Sequence, residues 1–278
     1  KIVSANPLHF DALHMMGIVN FQMGRLETGI GFLQQAIKIA PTIAEPYSNL
    51  ANALIILRRF DEALAACDTA VKLNPKLADA WNHRAIALQE LGRFEEALRS
   101  SERAVRLNPN NPQIHNIRAV ALRELGRRDQ ALASYDKALA LNAGLPHIHY
   151  NRANLLRDMN RNEEALASLD AAIRLKSDQA EVHNARAVAL LNLGRTDEAL
   201  DSCRHAIALK PTLVDAYNNL GNIYSERNLL AEARENYAKA LSLDPGLIIA
   251  RNNLSNILRR LGLVDEAITR TRTSRGNS

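Results

Sequence analysis

Aromatic residues are scarce in this sequence: they make up 4% of its 278 residues, and there is a single tryptophan. Hydrophobic residues nevertheless account for 47% of the chain, so a substantial core is available. That core has to be built mainly from alanine, leucine, isoleucine and valine, which suit closely packed helices better than a sheet. The composition therefore predicts an all-α protein.

Cysteine is almost absent, since Cys67 and Cys203 are the only two. Two cysteines do not specify a disulfide framework, and both fall on apolar helix faces, so we expect them to act as small buried hydrophobes. No apolar run is long enough to span a membrane, and no signal peptide is evident. These missing signals favour a cytoplasmic location. Lys1 is not a natural start, so the true N-terminus is expected to lie upstream.

Motifs of catalysis are also missing. The sequence has no glycine-rich phosphate loop, no nucleophile elbow and no paired catalytic carboxylates. Its eight histidines provide no closed set of metal ligands. We therefore expect no enzyme activity, no cofactor and no metal. The net charge of +5 allows weak affinity for anions, but bases and acids are mixed along the chain, so nucleic acid is not a favoured partner.

What the sequence does contain is a repeat of 34 residues. One set of equivalent positions is mostly proline: Pro7, Pro41, Pro75, Pro109, Ala143, Ser177, Pro211 and Pro245. A second set is mostly Gly or Asn, the residues that best accept a left-handed turn: Gly24, Arg58, Gly92, Gly126, Asn160, Gly194, Asn228 and Gly262. Two further sets are small residues, one running from Gly29 to Ala267 and the other from Ala36 to Ala240. Small residues at fixed positions let stacked helices approach closely.

The stretch from Ala80 to Pro109 illustrates one unit. Residues 80–91 and the residues after Glu95 have the apolar spacing of two short amphipathic helices. Gly92 separates them at a predicted left-handed turn, and Pro109 ends the second helix. Such a hairpin has too small a core to be stable alone, so it depends on its neighbours.

These features resemble the tetratricopeptide repeat (TPR) family. The closest match to its pattern comprises Tyr217, Leu220, Gly221, Tyr224, Ala233, Tyr237, Ala240 and Pro245. The resemblance implies an all-α, right-handed α-solenoid superhelix of about eight repeats, with a concave groove lined mainly by first helices. The expected single array, 1–278, has repeats near 8–41, 42–75, 76–109, 110–143, 144–177, 178–211, 212–245 and 246–278.

The two ends of the array suggest that the sequence is part of something larger. Residues 1–7 resemble the tail of a preceding repeat, and residues 265–268 resemble the start of a second helix with no capping helix after it. Repeat arrays need a polar cap over their last apolar face. We therefore expect a longer protein, a covering partner or self-association through the ends. Three histidines, His115, His149 and His183, stand where the family usually has an aromatic residue or leucine.

Asparagine pairs are the strongest candidates for a binding site. Pairs at positions i and i+3 share a face of the first helix in four repeats: Asn49/Asn52, Asn151/Asn154, Asn219/Asn222 and Asn253/Asn256. A carboxamide both donates and accepts, so it can hold the backbone of an extended peptide whatever the peptide's sequence. The pairs resemble the asparagine ladder of O-linked N-acetylglucosamine transferases. His83, Ile117 and Ala185 interrupt it, and Asn82 and His83 occupy the corresponding part of the third repeat. The alternative is that these are merely solvated groove residues.

Four arginines form a second candidate set at 34-residue steps: Arg84, Arg118, Arg152 and Arg186. They would form a cationic ladder for an acidic peptide or a phosphate. The interpretation we favour is that their stems pack between helices while their heads pair with nearby acids.

The predicted function is a non-catalytic scaffold that binds a peptide or protein segment in the groove. One alternative is the substrate-recognition arm of a larger glycosyltransferase. Another is an RNA-binding helical repeat, against which the strict 34-residue period counts.

Overall fold

The computed structural model describes residues 9–176 and 178–263, and over these ranges the chain is entirely helical, without a strand. This confirms the predicted all-α class. The described helices are α1 (Phe10–Gln22), α2 (Leu26–Ile39), α3 (Glu45–Ile56), α4 (Phe60–Leu73), α5 (Ala78–Glu90), α6 (Phe94–Leu107), α7 (Pro112–Glu124), α8 (Arg128–Leu141), α9 (Pro146–Asp158), α10 (Asn162–Leu175), α11 (Ala180–Asn192), α12 (Thr196–Leu209), α13 (Val214–Glu226), α14 (Leu230–Leu243) and α15 (Ile248–Arg260).

Left-handed residues separate the helices of each pair, because the chain must reverse within a few residues. All eight positions predicted for this turn have positive φ, between 58° and 77°. In the turn after α5, the N–H of Arg93 reaches back to the carbonyl of Leu88 at 2.8 Å, which satisfies an end carbonyl of that helix. Arg58 is the position without Gly or Asn, and it adopts φ of 59°.

Small side chains let the paired helices approach closely. The described alanines of both small-residue series are fully buried, Ala63 and Ala97 among them. In the first pair the two backbones themselves come close, since a carbon added at Gly29 would lie 2.9 Å from the carbonyl oxygen of Gly17. Cys67 and Cys203 are buried free thiols, as expected, and burial raises the pKa of each to about 12.

The described helices form two compact units, one ending at Ala143 and the other beginning at Gly144. Within each unit, every odd-numbered helix packs against the even-numbered helix that follows it and against the next odd-numbered helix. Successive even-numbered helices of a unit make no such contact. The odd-numbered helices therefore form a continuous layer in each unit, as the resemblance implies for first helices. The single array and its repeat bounds stay a prediction.

At the start of four odd-numbered helices, α3, α5, α7 and α13, a side chain joins the helix to the end of the preceding repeat. Its donor bonds to the carbonyl oxygen of the proline six residues earlier, in the pairs Tyr47–Pro41 at 3.2 Å, Trp81–Pro75 at 3.0 Å, His115–Pro109 at 2.8 Å and Tyr217–Pro211 at 3.2 Å. Because a carbonyl can only accept, Nε2 of His115 carries the proton. This confirms that buried His115 substitutes for an aromatic residue.

Some predictions lie outside the described residues, namely those for residues 1–7, Ser177, residues 265–268 with Ala267, and the segment that follows. Among the helices that are described, none is both long and apolar enough to cross a membrane.

Candidate functional site

Two adjoining pockets lie along the odd-numbered helices of the second unit. The first, which we call the amide pocket, has a volume of about 430 Å³ and is lined by Asn192, Asn219, Asn222, Ser225, Glu226, Tyr237 and Asn253, among others. The second, the mixed pocket, has a volume of about 410 Å³ and includes Tyr150, Asn154, Arg157, Glu181, Asn184, Leu213, Asp215 and Ile249. Val188 and Asn219 belong to both, so the two pockets form one continuous candidate groove.

Asparagine side chains of successive odd-numbered helices bond to one another within this groove. Nδ2 of Asn219 on α13 donates to Oδ1 of Asn184 on α11 at 2.9 Å. Nδ2 of Asn253 on α15 lies 3.1 Å from Oδ1 of Asn222 and 3.4 Å from Oδ1 of Asn218. Asn219 and Asn253 are among the predicted site residues, whereas their acceptors Asn184 and Asn218 were not predicted. The signal was available, because each acceptor stands 35 residues before its donor.

The buried Tyr237 fixes the orientation of Asn222. Its hydroxyl donates to Oδ1 of Asn222 at 2.7 Å, and that oxygen also accepts the Asn253 amide. Gly221 makes room for the ring, because a carbon added there would lie 2.6 Å from Cε1 of Tyr237. With its oxygen occupied in this way, Asn222 has its amide hydrogens available as donors.

The remaining predicted asparagines of this unit lie on α9 and α15. Asn154 accepts a 3.3 Å bond from Nη1 of Arg157, one turn further along α9. Asn151 lies one turn before Asn154 on the same helix. Asn256 accepts a bond from Arg259 on α15.

In the first unit, the equivalent site follows the same 35-residue rule. Nδ2 of Asn49 lies 2.8 Å from Nε2 of His14, and Nδ1 of His83 lies 3.2 Å from Oγ of Ser48. His83, expected to interrupt the ladder, thus makes an equivalent contact between helices. Burial lowers the pKa of both histidines below the ordinary value of 6.5.

Two other candidates of the first unit differ from these. Asn52 is half-buried on α3. Oδ1 of Asn82 on α5 is buried and accepts no hydrogen bond within the described part of the chain.

Each of the four arginines bonds from its odd-numbered helix to a serine of the even-numbered helix that follows. Arg84 on α5 donates from Nη1 to Oγ of Ser100 on α6 at 2.7 Å, and from Nε to Asp68 on α4 at 2.6 Å. Arg186 repeats this arrangement with Ser202 and Asp170, both at 2.7 Å.

The other two arginines make the same serine contact. Nη1 of Arg118 lies 2.5 Å from Oγ of Ser134, and Nη1 of Arg152 lies 2.7 Å from Oγ of Ser168. These guanidinium groups are partners of the fold itself, which supports the packing interpretation over a cationic ladder.

Among the residues that the structure describes, no group of three or more His, Cys, Asp and Glu side chains is arranged to hold a metal ion.

Comparison with known sequences identifies the family. Models described as tetratricopeptide repeat match residues 10–43, 50–122, 150–213 and 214–247, and a model described as TPR repeat matches residues 119–156. The chain therefore belongs to the tetratricopeptide-repeat family. Repeats of this family typically serve as non-catalytic protein-interaction scaffolds, and membership supports that general role here. No curated protein sequence matches the chain.

Solved structures with the same fold include a chain of the APC/C hetero-tetramer Cut9-Hcn1, with a TM-score of 0.76 and 16% identity over 92% of this chain and 51% of that one. Pseudomonas aeruginosa pilF gives a TM-score of 0.67 and 20% identity, over 78% of this chain and 97% of that one. A thermophilic TPR protein from Thermus thermophilus gives a TM-score of 0.56 and 27% identity, over 66% of this chain and 100% of that one. This chain thus spans about half the length of the first of these proteins. At such identities, the likeness shows the fold.

Proposed function

We propose that this chain is a non-catalytic scaffold that binds an extended protein segment along the groove formed by the amide and mixed pockets. The observation that carries the proposal is the continuity of the two pockets, whose walls present asparagine side chains from four successive odd-numbered helices. An extended peptide presents one N–H and one C=O at every residue except proline. Carboxamides complement both groups at once, so binding of this kind depends little on the ligand's sequence.

The asparagines have capacity left for a ligand after their contacts with one another. Asn219 uses one Nδ2 hydrogen on Asn184, which leaves its second amide hydrogen and its oxygen. Packed helices lie about 8–10 Å apart, and an extended chain rises about 3.3 Å per residue, so one asparagine contact is expected for roughly every third ligand residue. The three steps from α9 to α15 then require a ligand of about nine residues.

A peptide selection tests the proposal. A displayed library of random 12-residue peptides is selected on the wild-type chain, and enriched peptides are resynthesised with a fluorescent label for anisotropy titration. The groove variant is N154A/N219A/N253A. The matched control is N236A, which removes an asparagine of α14 whose side chain bonds to the carbonyl of Glu232 in its own helix.

The groove variant is expected to bind enriched peptides at least about tenfold more weakly, since each lost hydrogen bond contributes about 0.5–1.5 kcal/mol. The control is expected to bind like the wild type. Circular dichroism checks that both variants keep their helices. Equal affinity of wild type and groove variant for every enriched peptide would contradict the proposal.

The alternatives have separate tests. The glycosyltransferase arm requires a catalytic domain in the same natural gene, so the gene sequence beyond residue 278 decides it. RNA binding requires an affinity that falls steeply with salt, which a filter-binding titration measures. Self-association through the ends of the array would appear as a concentration-dependent mass in sedimentation, and the cytoplasmic location is tested by fractionating cells.

A further inference from the structure

The charges of the mixed pocket distinguish between classes of ligand. Three charged side chains line it, namely Arg157, Glu181 and Asp215. Glu181 already has a partner for its charge, because Nζ of Lys210 donates to its carboxylate at 2.7 Å. This bond lowers the pKa of the Glu181 carboxyl group, which therefore stays charged within an ion pair. Asp215 is exposed on α13 and forms no ion pair within the described ranges. It is therefore the carboxylate of this pocket that a ligand can pair with.

The positive charge of the pocket lies at its other side. Arg157 is on α9, which packs against α11, and α11 in turn packs against α13, which carries Asp215. Its Nη1 donates to Asn154 on its own helix. Asp215 also lies in the first turn of α13, where the helix dipole offsets only about half of an elementary charge. A net negative charge therefore remains at the α13 side.

Apolar side chains stand beside this carboxylate. Ile249 is 63% exposed although it lines the pocket, and Leu213 lies on the loop that leads into α13. A purely apolar ligand side chain would cover these groups but take Asp215 out of water without a partner, which is costly. An acidic one would be repelled. A long basic side chain avoids both costs, because its alkyl stem covers apolar surface while its head pairs with the carboxylate.

A second carboxylate extends the same preference into the amide pocket. Glu226, at the other end of α13, lines that pocket and forms no ion pair among the described side chains. The rise of an α-helix places the two residues about 16 Å apart along the axis. The groove over α13 thus has an acidic group at each edge, with Asn219 and Asn222 between them.

We propose that the segment bound in the groove presents a lysine or arginine to the mixed pocket, with its stem against Leu213 and Ile249 and its charged head on Asp215. This inference rests on the proposed function, since it names the ligand class of the same groove. It assigns the sequence selectivity of the groove to the carboxylate of Asp215, which lies in the first turn of α13.

The test uses peptides enriched on the wild-type chain. Each is resynthesised with its basic residue replaced by norleucine, which keeps the alkyl stem without the charge, and in a third version by glutamate. On the wild type, the norleucine version is expected to bind about threefold to tenfold more weakly, and the glutamate version more weakly still. The D215N variant is expected to bind the lysine and norleucine versions equally. The control D201N changes an exposed acid of α12 and is expected to keep the preference of the wild type.

The outcomes separate this inference from the proposed function. If enriched peptides carry no excess of basic residues, or if D215N keeps the full preference for lysine over norleucine, the inference is wrong. If D215N has no effect while N154A/N219A/N253A loses binding, the groove proposal stands without it. If neither variant weakens binding, both proposals fail.

Discussion

Two equivalent tyrosines allow a direct test of the polar contact that supports the groove. The hydroxyl of Tyr237 donates to Oδ1 of Asn222 at 2.7 Å. The hydroxyl of Tyr135 is fully buried in the first unit and has no hydrogen-bond partner among the described residues. The difference follows from the sequence, because the residue 15 positions before Tyr135 is Val120, which has no acceptor, where Tyr237 has Asn222. Burial raises the pKa of both tyrosines to about 12, so both hydroxyls stay protonated at neutral pH.

The same substitution should therefore have opposite effects at the two sites. Y237F removes a buried hydrogen bond and is expected to destabilise the chain by about 1 kcal/mol. Asn222 still accepts the amide of Asn253, which limits this loss. Y135F removes an unsatisfied buried hydroxyl and is expected to stabilise the chain by about 1 kcal/mol. V120N adds an acceptor that the hydroxyl of Tyr135 can use. It should therefore lower the free energy of unfolding less in the chain with Tyr135 than in the Y135F variant.

Urea denaturation followed by circular dichroism at 222 nm measures these differences. Because repeat proteins can unfold in stages, amide hydrogen exchange in α7–α8 and in α13–α14 assigns each change to its own unit. A peptide titration adds a second readout, since Y237F also releases Asn222 from its fixed orientation and is expected to weaken binding, whereas Y135F is not. Equal destabilisation by Y135F and Y237F would refute the argument that the partner at position 120 or 222 decides the effect.

Three further predictions use the same measurements. R58G should raise the free energy of unfolding by about 0.5–1 kcal/mol, because glycine accepts the positive φ of this turn at no steric cost. G92A, at an equivalent turn, should lower it by about 1 kcal/mol. A destabilising R58G together with a stabilising G92A would contradict the left-handed turn. R186A should lower the free energy of unfolding by about 1–2 kcal/mol, because it breaks the bonds to α10 and α12, and it should leave peptide affinity unchanged. The control R174A removes an exposed arginine of α10 and should lower the free energy of unfolding by less than about 0.5 kcal/mol. Since burial lowers the pKa of His83 below its ordinary 6.5, the unfolded chain takes up a proton that the folded chain does not, so stability falls as the pH drops below 6.5. H83N should lessen that fall between pH 7.5 and 5, and an identical pH profile would show that His83 does not contribute.

The fold was predictable because its determinants repeat. Gly24, Gly92 and their equivalents recur every 34 residues, and only a left-handed backbone explains glycine or asparagine at such a position. The fully buried alanines recur with the same period, since only small residues allow that helix spacing. Repetition within one chain thus shows which positions the backbone constrains, without any need for related sequences.

The contacts between repeats were harder to predict, because each depends on two positions at once. Ser202 accepts a hydrogen bond from Arg186, and a serine stands 16 residues after each of the four arginines. Serine as a residue type, however, predicts neither burial nor pairing with an arginine. From its residue type, His83 was expected to interrupt the series of asparagines. In the structure its imidazole nitrogen takes the place of a carboxamide and contacts Ser48 on the preceding odd-numbered helix. The free carboxylate of Asp215 was equally hidden, since its sequence neighbours resemble those of Glu181, which Lys210 neutralises.

The recurrence of asparagine in the groove is therefore a weaker argument for a ligand than the pockets are. An asparagine inside a helix lowers stability by up to about 0.7 kcal/mol relative to alanine. A hydrogen bond between repeats contributes about 0.5–1.5 kcal/mol of stability. The bonds of Asn219 to Asn184 and of Asn253 to Asn222 can thus offset that cost with no ligand present. Asn154 differs, because the bond described for it comes from Arg157 in its own helix, yet it lines the mixed pocket. Of the predicted asparagines, Asn154 is therefore the one for which the proposed ligand offers the best explanation.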